Sequence, residues 1–183
     1  MRFLRTYRKG AWNEWLVGYD CWLLKSLVVK IGGWATRGAT LFDWSDNSLG
    51  TIYSTEKDAD GVPQCPEACY KHKDFATNAE TSACKGVPFD MSLWPTLCQG
   101  GGAGGDWGQR IDEDAMISSI NEEQVVMVAH EIGHVFGLAD FYETIDQPNE
   151  DFPVCIMKAG SSRTVTPVTV GCCVAFSNAS SLG

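Results

Sequence analysis

The sequence has no apolar run long enough to cross a membrane. Its most apolar stretch, CWLLKSLVVKIGGW, is interrupted by Lys25, Ser26 and Lys30, whereas a spanning helix needs about 20 apolar residues. The opening MRFLRTYRKG leads into no apolar signal-peptide core, so the chain is expected to be a mature form whose targeting segment is missing. Positive charge is scarce: 14 lysines and arginines stand against 23 aspartates and glutamates, for a formal net charge of −9. That balance excludes nucleic acid and anionic membrane as partners, since both need clustered basic residues. Arg2, Arg5, Arg8 and Lys9 make only a short terminal run. Phosphate-loop chemistry is missing too. GGGAGG, at 100–105, has no Lys-Ser/Thr after it and reads as a flexible connector. Histidine is rarer than any of these, with three in the chain.

What is present suits a single globular domain, 1–183. The 183 residues are 44% apolar and 20% charged, ordinary for one hydrophobic core. Eight cysteines form an even set. CPEAC has a zinc-like spacing, but Cys84 and Cys98 do not repeat it as a second tight pair, so disulfides are the expectation. They imply an oxidising compartment and hence secretion. Cys65, Cys69, Cys84 and Cys98 are expected to pair among themselves. Cys172 and Cys173 are adjacent and should bridge to different partners, with Cys21 and Cys155 as candidates.

Trp12, Trp15, Leu16, Tyr19, Trp22, Leu23 and Leu27 recur at helical spacing and predict a helix with one buried face. ATLFDWS and GTIYSTE read as short strands around the turn-rich DNSLG. Residues 56–100 should be mostly loops. Within them DADG, Asp58 to Gly61, opens like a calcium loop but lacks the later ligands and closing Glu. It reads as a turn, with Ca2+ left as a second possible cofactor. RIDEDAMIS predicts a strand.

Asn121 can cap a helix, with Glu122 and Glu123 in its first turn and Gln124 in the reciprocal capping position. From Val125 to Phe136 nearly every residue is apolar, which predicts a buried helix. His130, Glu131 and His134 are its polar exceptions, and burying polar groups unpaired costs roughly 2–7 kcal/mol. Two histidines four apart project from one helical face, where both imidazoles can reach one zinc. Glu131 flanks that face, where a general base can act on a water. His72 lies in a lysine-rich segment and reads as surface.

Gly137 can end the helix in a left-handed turn, and Asp140 arrives six residues after His134. This run, HEIGHVFGLAD, resembles the metzincin zinc endopeptidases, whose pattern is HExxHxxGxx and a third ligand. The third ligand is usually His; in the snapalysin-like members it is Asp, and the run fits that version at every fixed position. The resemblance extends to VCIMKAG, where Met157 takes the place of the methionine in the turn beneath the metal. Ala159 stands where astacin-type members carry a tyrosine. The resemblance covers residues 121–160.

The resemblance implies an α+β, metzincin-like fold. A twisted mixed sheet with two long helices would form an upper subdomain to about residue 137. A small, mostly irregular lower subdomain, about 138–183, would hold Asp140, Met157 and a C-terminal helix. Thr166 and Pro167 can open that closing helix, through Val174 or so. The implied site is one catalytic Zn2+ on His130, His134 and Asp140, with Glu131 as base and a polypeptide substrate laid along an edge strand. RIDEDAMIS is the candidate for that strand. Asp140 could instead orient a histidine ring, leaving Glu143 or Asp146 as third ligand. A carboxylate ligand leaves the site near +1, so its water should ionise at a higher pH than in a three-histidine site. The alternatives are a zinc amidase on a non-peptide substrate and a silent secreted zinc-binding module. A monomer is expected.

Overall fold

The computed structural model describes residues 30–73, 79–105, 108–122, 125–135, 138–147, 149–158 and 162. They fall into two compact units, Lys30–Ser92 and the residues from Leu93 onward. Both sides of the expected boundary near residue 137 belong to the second unit. The helices expected over 12–27 and 166–174 lie outside the described residues, as do Cys21, Cys172, Cys173, Glu123, Gln124 and Gly137.

In the first unit, β1 (Gly33–Ala35) and β2 (Thr51–Tyr53) pair in parallel, with Trp34 opposite Ile52. GTIYSTE thus supplies a strand, but ATLFDWS does not: Ala39–Leu41 form one 3-10 turn. The alternating Phe42 and Trp44 serve a ring cluster instead. Their centroids lie 5.8 and 5.6 Å from that of Trp34 and 4.5 Å from each other. The Trp34 indole N–H donates to the Leu49 carbonyl at 2.6 Å.

Cys69 and Cys84 form a disulfide that closes a loop of 15 residues, worth about 3 kcal/mol in the chain-entropy account. Cys65 is a free thiol, pushed up to about 11 by burial. The second bridge expected within this set does not form, and Cys98 is free and exposed in the other unit. Asp58 turns its carboxylate onto its own backbone. Oδ1 accepts from the Asp60 N–H at 3.0 Å and the Val62 N–H at 2.8 Å, beside Gly61 at φ +79°. That is the turn expected of DADG. His72 stands at the surface, 3.5 Å from Asp90 Oδ1.

The second unit carries a three-stranded sheet in the order β3-β5-β4. β3 (Leu93–Thr96) runs parallel to β5 (Gly108–Asp112), and β4 (Gly102–Gly105) runs antiparallel to it. Two sequence expectations change here. Gly102–Gly105 of GGGAGG form a strand rather than a connector. RIDEDAMIS is strand only to Asp112, after which α1 (Glu113–Ser119) begins. Asp112 makes the change of structure: its Oδ1 accepts from the Ala115 N–H at 3.0 Å, an N-cap. Its Oδ2 accepts from the Gly100 N–H at 3.1 Å.

α2 (Val126–Val135) is the expected buried helix, ten residues long in the described part. It starts later than Asn121 predicted, with the Ala129 N–H donating to Val125. Residues 128–133 are all buried. α2 packs on β4 and β5, and Ile111 of β5 is fully buried.

Candidate metal centre

Helical spacing brings His130 and His134 together as expected. Their ring centroids are 5.1 Å apart, in an edge-to-face arrangement. Each ring is held from behind by a carbonyl. His130 Nδ1 lies 2.7 Å from the Ile156 oxygen, and His134 Nδ1 lies 2.7 Å from the Leu138 oxygen. A carbonyl can only accept, so each Nδ1 carries a hydrogen, and in the neutral tautomer that this fixes, Nε2 is the acceptor that faces forward.

Asp140 meets those acceptors. Its Oδ1 is 3.0 Å from His130 Nε2 and 3.7 Å from His134 Nε2. It has no hydrogen-bond partner despite being buried. The short approach to His130 is therefore a contact without hydrogen-bond geometry. Ligand atoms of the three residues all lie within 4.8 Å of one another. Around a tetrahedral zinc at 2.0–2.1 Å, ligand atoms stand roughly 3.3 Å apart, a value that the two Asp140 distances bracket. Three converging acceptors repel one another unless a cation lies between them, so the donor set fits a divalent metal. Two imidazoles and a carboxylate are zinc ligands.

Glu131 stands beside this group. Oε1 is 4.0 Å from His130 Nε2, and Oε2 is 3.9 Å from His134 Nε2. Oε2 is buried and unpartnered. Burial raises the Glu131 pKa, the two histidines pull it back, and Asp140 pushes it up again. A carboxylate so placed is an avid proton acceptor.

β4 roofs the site, and its glycines explain how. A Cβ on Gly102 would lie 2.0 Å from Glu131 Oε1, and one on Gly104 would lie 2.6 Å from His134 Cδ2. Any side chain at either position would occupy the space of Glu131 or of the His134 ring. Glycine carries no periodic hydrophobic signal and disfavours strands, which is why the sequence concealed this element. The lining of the resulting cavity, about 420 Å³, includes Gly102, Gly104, Met127, Glu131 and Tyr142.

Tyr142 is the residue that sequence reasoning missed. Its ring stacks on that of His130, with centroids 5.8 Å apart and planes 2° from parallel. Its hydroxyl donates to His130 Nε2 at 3.1 Å. The phenol is pushed up to about 12, first by burial and then by Asp140 and Glu131, so it remains a donor at neutral pH. The available signal was its place two residues after Asp140, since alternate residues of extended chain face one way.

Met157 is fully buried in the turn that follows Cys155. The Phe141 N–H donates to the Met157 carbonyl at 2.8 Å. With the bond that His130 Nδ1 donates to the Ile156 carbonyl, this turn braces the His130 side of the site and the chain next to Asp140. Glu143 and Asp146 stay outside the cluster; Asp146 is in a separate 3-10 turn, Thr144–Asp146. Among the described residues, His130, His134 and Asp140 are the one group of three or more His, Cys, Asp or Glu side chains close enough together to hold a metal. The chain matches no known family model, no curated protein and no solved structure.

Proposed function

We propose that the chain is a zinc-dependent endopeptidase of metzincin-like fold, with His130, His134 and Asp140 as metal ligands and Glu131 as general base. The observation that carries this reading is the convergence of three acceptor atoms, with both histidine rings held at Nδ1 by carbonyls, beside a buried carboxylate whose Oε2 makes no hydrogen bond. A structural zinc site has no use for that fourth group, because its coordination is closed by protein ligands. The disulfide Cys69–Cys84 supports a secreted protein.

Bound zinc would supply Lewis acidity, making water more acidic and stabilising negative charge on a carbonyl oxygen. Glu131 Oε2 takes the proton from the attacking water and returns it to the amide nitrogen as the C–N bond breaks. Tyr142 donates its hydroxyl hydrogen to the oxygen that becomes negative. The carbonyls of Ile156 and Leu138 keep both imidazoles in one tautomer throughout.

The backbone that receives substrate is β4, not β5. β5 is the central strand and has partners on both sides. Among the described residues, no strand covers the outer edge of β4. The Asp112 N–H donates to the Gly101 carbonyl at 2.8 Å, so that facing pair is a hydrogen-bonded one. Antiparallel alternation then turns the N–H and C=O of Gly102 and Gly104 outward. An extended peptide can pair with those groups directly over Glu131.

The test is peptide and casein hydrolysis by the purified chain after zinc loading. Activity should vanish with a chelator, return with zinc, and be lost in Glu131→Gln. Hydrolysis of small non-peptide amides alone would favour the amidase reading, and full activity in Glu131→Gln would overturn the mechanism.

A further inference from the structure

β5 turns two side chains toward α2. A Cβ on Gly102 or Gly104 would strike Glu131 or His134, so both glycines face the helix. Residues opposite one another in a ladder share a face. Ile111 lies opposite Gly102, and Gln109 lies opposite Gly104. Both are fully buried. An isoleucine there is ordinary core. A glutamine is not, because its amide carries donors and an acceptor that water no longer reaches.

Neither end of that amide is used. Gln109 Nε2 and Oε1 are buried without a hydrogen-bond partner, and so is Glu131 Oε2. Buried polar atoms are nearly always paired, and here a donor and an acceptor are orphaned on the same side of one sheet. The Asp112 N–H bonds to the Gly101 carbonyl, so alternation makes Gly104 and Gln109 a non-hydrogen-bonded pair. Cβ atoms in such a pair are about 4.5 Å apart. The Cβ position of Gly104 lies 3.0 Å from Glu131 Oε2. Gln109 Cβ is therefore within about 7.5 Å of that oxygen, and the amide nitrogen extends about 3.5 Å beyond Cβ. Aimed along that line, the nitrogen stops about 4 Å short or less. A rotation of the two side chains closes such an interval, and a single water spans it. Glycine at 104 leaves no side chain to stand in the way.

Resting on the peptidase reading above, we infer that Gln109 is the positioning residue of the proposed base: its amide N–H supplies the donor that Glu131 Oε2 lacks. Gln109 does not line the cavity, so it touches no substrate and acts through Glu131. An ionised carboxylate oxygen can accept twice. One acceptance ties Oε2 to the sheet; the other stays open for the proton of the attacking water. A base held in this way is already aimed when substrate arrives.

The experiment uses the full chain in four forms: wild type, Gln109→Met, Glu131→Met and the double variant. Methionine matches the length of either side chain and removes its polar end. Folding equilibria of the four are compared by denaturant unfolding without metal. An idle buried amide can be replaced by an apolar chain at no loss. Gln109→Met should instead weaken folding where Glu131 is present, and leave it level or stronger beside Glu131→Met. The two effects on the folding constant should depart from multiplying by more than about three-fold, beyond what independent sites show. A Gln109→Met chain that folds only beside Glu131→Met counts the same way. The second readout is peptide hydrolysis by zinc-loaded wild type and Gln109→Met. There kcat should fall by about 10-fold, the lower end for an outer partner, with KM and zinc affinity changed by less than about two-fold. Equal effects of Gln109→Met in both backgrounds, failure to fold in both included, or an unchanged kcat overturns this inference and leaves the peptidase reading standing. No cleavage of any peptide by zinc-loaded wild type overturns that reading, and the folding comparison then still decides whether the two side chains pair.

Discussion

His130 Nε2 and Asp140 Oδ1 approach to 3.0 Å, and Oδ1 makes no hydrogen bond. The Ile156 carbonyl holds a ring hydrogen on the far nitrogen, so in the neutral ring two acceptor atoms stand side by side, with the Tyr142 hydroxyl as a donor to His130 Nε2. A cation held between them would relieve that repulsion, so the donor set suits one.

Asp140→Asn tests the third ligand. The substitution keeps the shape and removes the charge. Zinc affinity measured by chelator competition should fall at least as far as the ~10–100-fold that losing an outer partner costs. The carboxylates Glu143 and Asp146 should give no comparable loss, since they stand outside the cluster.

Glu131→Gln separates holding the metal from using it. Zinc should still bind one per chain by elemental analysis. Peptide hydrolysis should drop by about 10²–10⁴-fold, the usual worth of a general base.

Tyr142→Phe keeps the ring stacked on His130 and deletes the donor. We expect kcat to fall by about 10²-fold, toward the lower end for one oxyanion donor, with zinc affinity little changed. A loss confined to KM would contradict the donor role.

Gly102→Ala puts a methyl where Glu131 Oε1 already lies, 2.0 Å from the new atom. Either the base or β4 must move. Overpacking of this kind costs about 1–3 kcal/mol. Hydrolysis should suffer more than thermal stability does, and zinc should still bind.

Asp112 gives a pH dependence. Backbone N–H groups, that of Ala115 first and then that of Gly100, hold its carboxyl below the usual range. A folded pKa lowered in this way contributes stability above the unfolded value, about 3.9, and loses it as pH falls through the folded one. The stability gap between wild type and Asp112→Ala should be present at pH 6 and narrow below about pH 4. Amide exchange at Gly100 should speed up over the same window.

Much of the site was legible in the sequence because it depends on short-range geometry. The spacing of His130 and His134 is one helical turn, and the apolar surroundings of Glu131 announced its burial. Asp140 came from its distance to His134 within a known pattern. Three things escaped, each for a physical reason. The glycine strand has no side chains to show a period. Tyr142 is chemically ordinary until stacking places it. ATLFDWS alternated like a strand, but its aromatic rings had a closer partner in Trp34 than in any sheet. Cysteine parity also misled: it counts thiols without knowing which meet, and Cys65 and Cys98 are unbridged.

The carbonyls of Ile156 and Leu138 also bear on how the protein would behave when starved of zinc. Main-chain atoms aim the two rings, so the proposed cradle would not need an ion to set their direction. A depleted molecule would recharge in a single encounter, without first having to refold, and would act as a reusable socket rather than a knot that the ion ties.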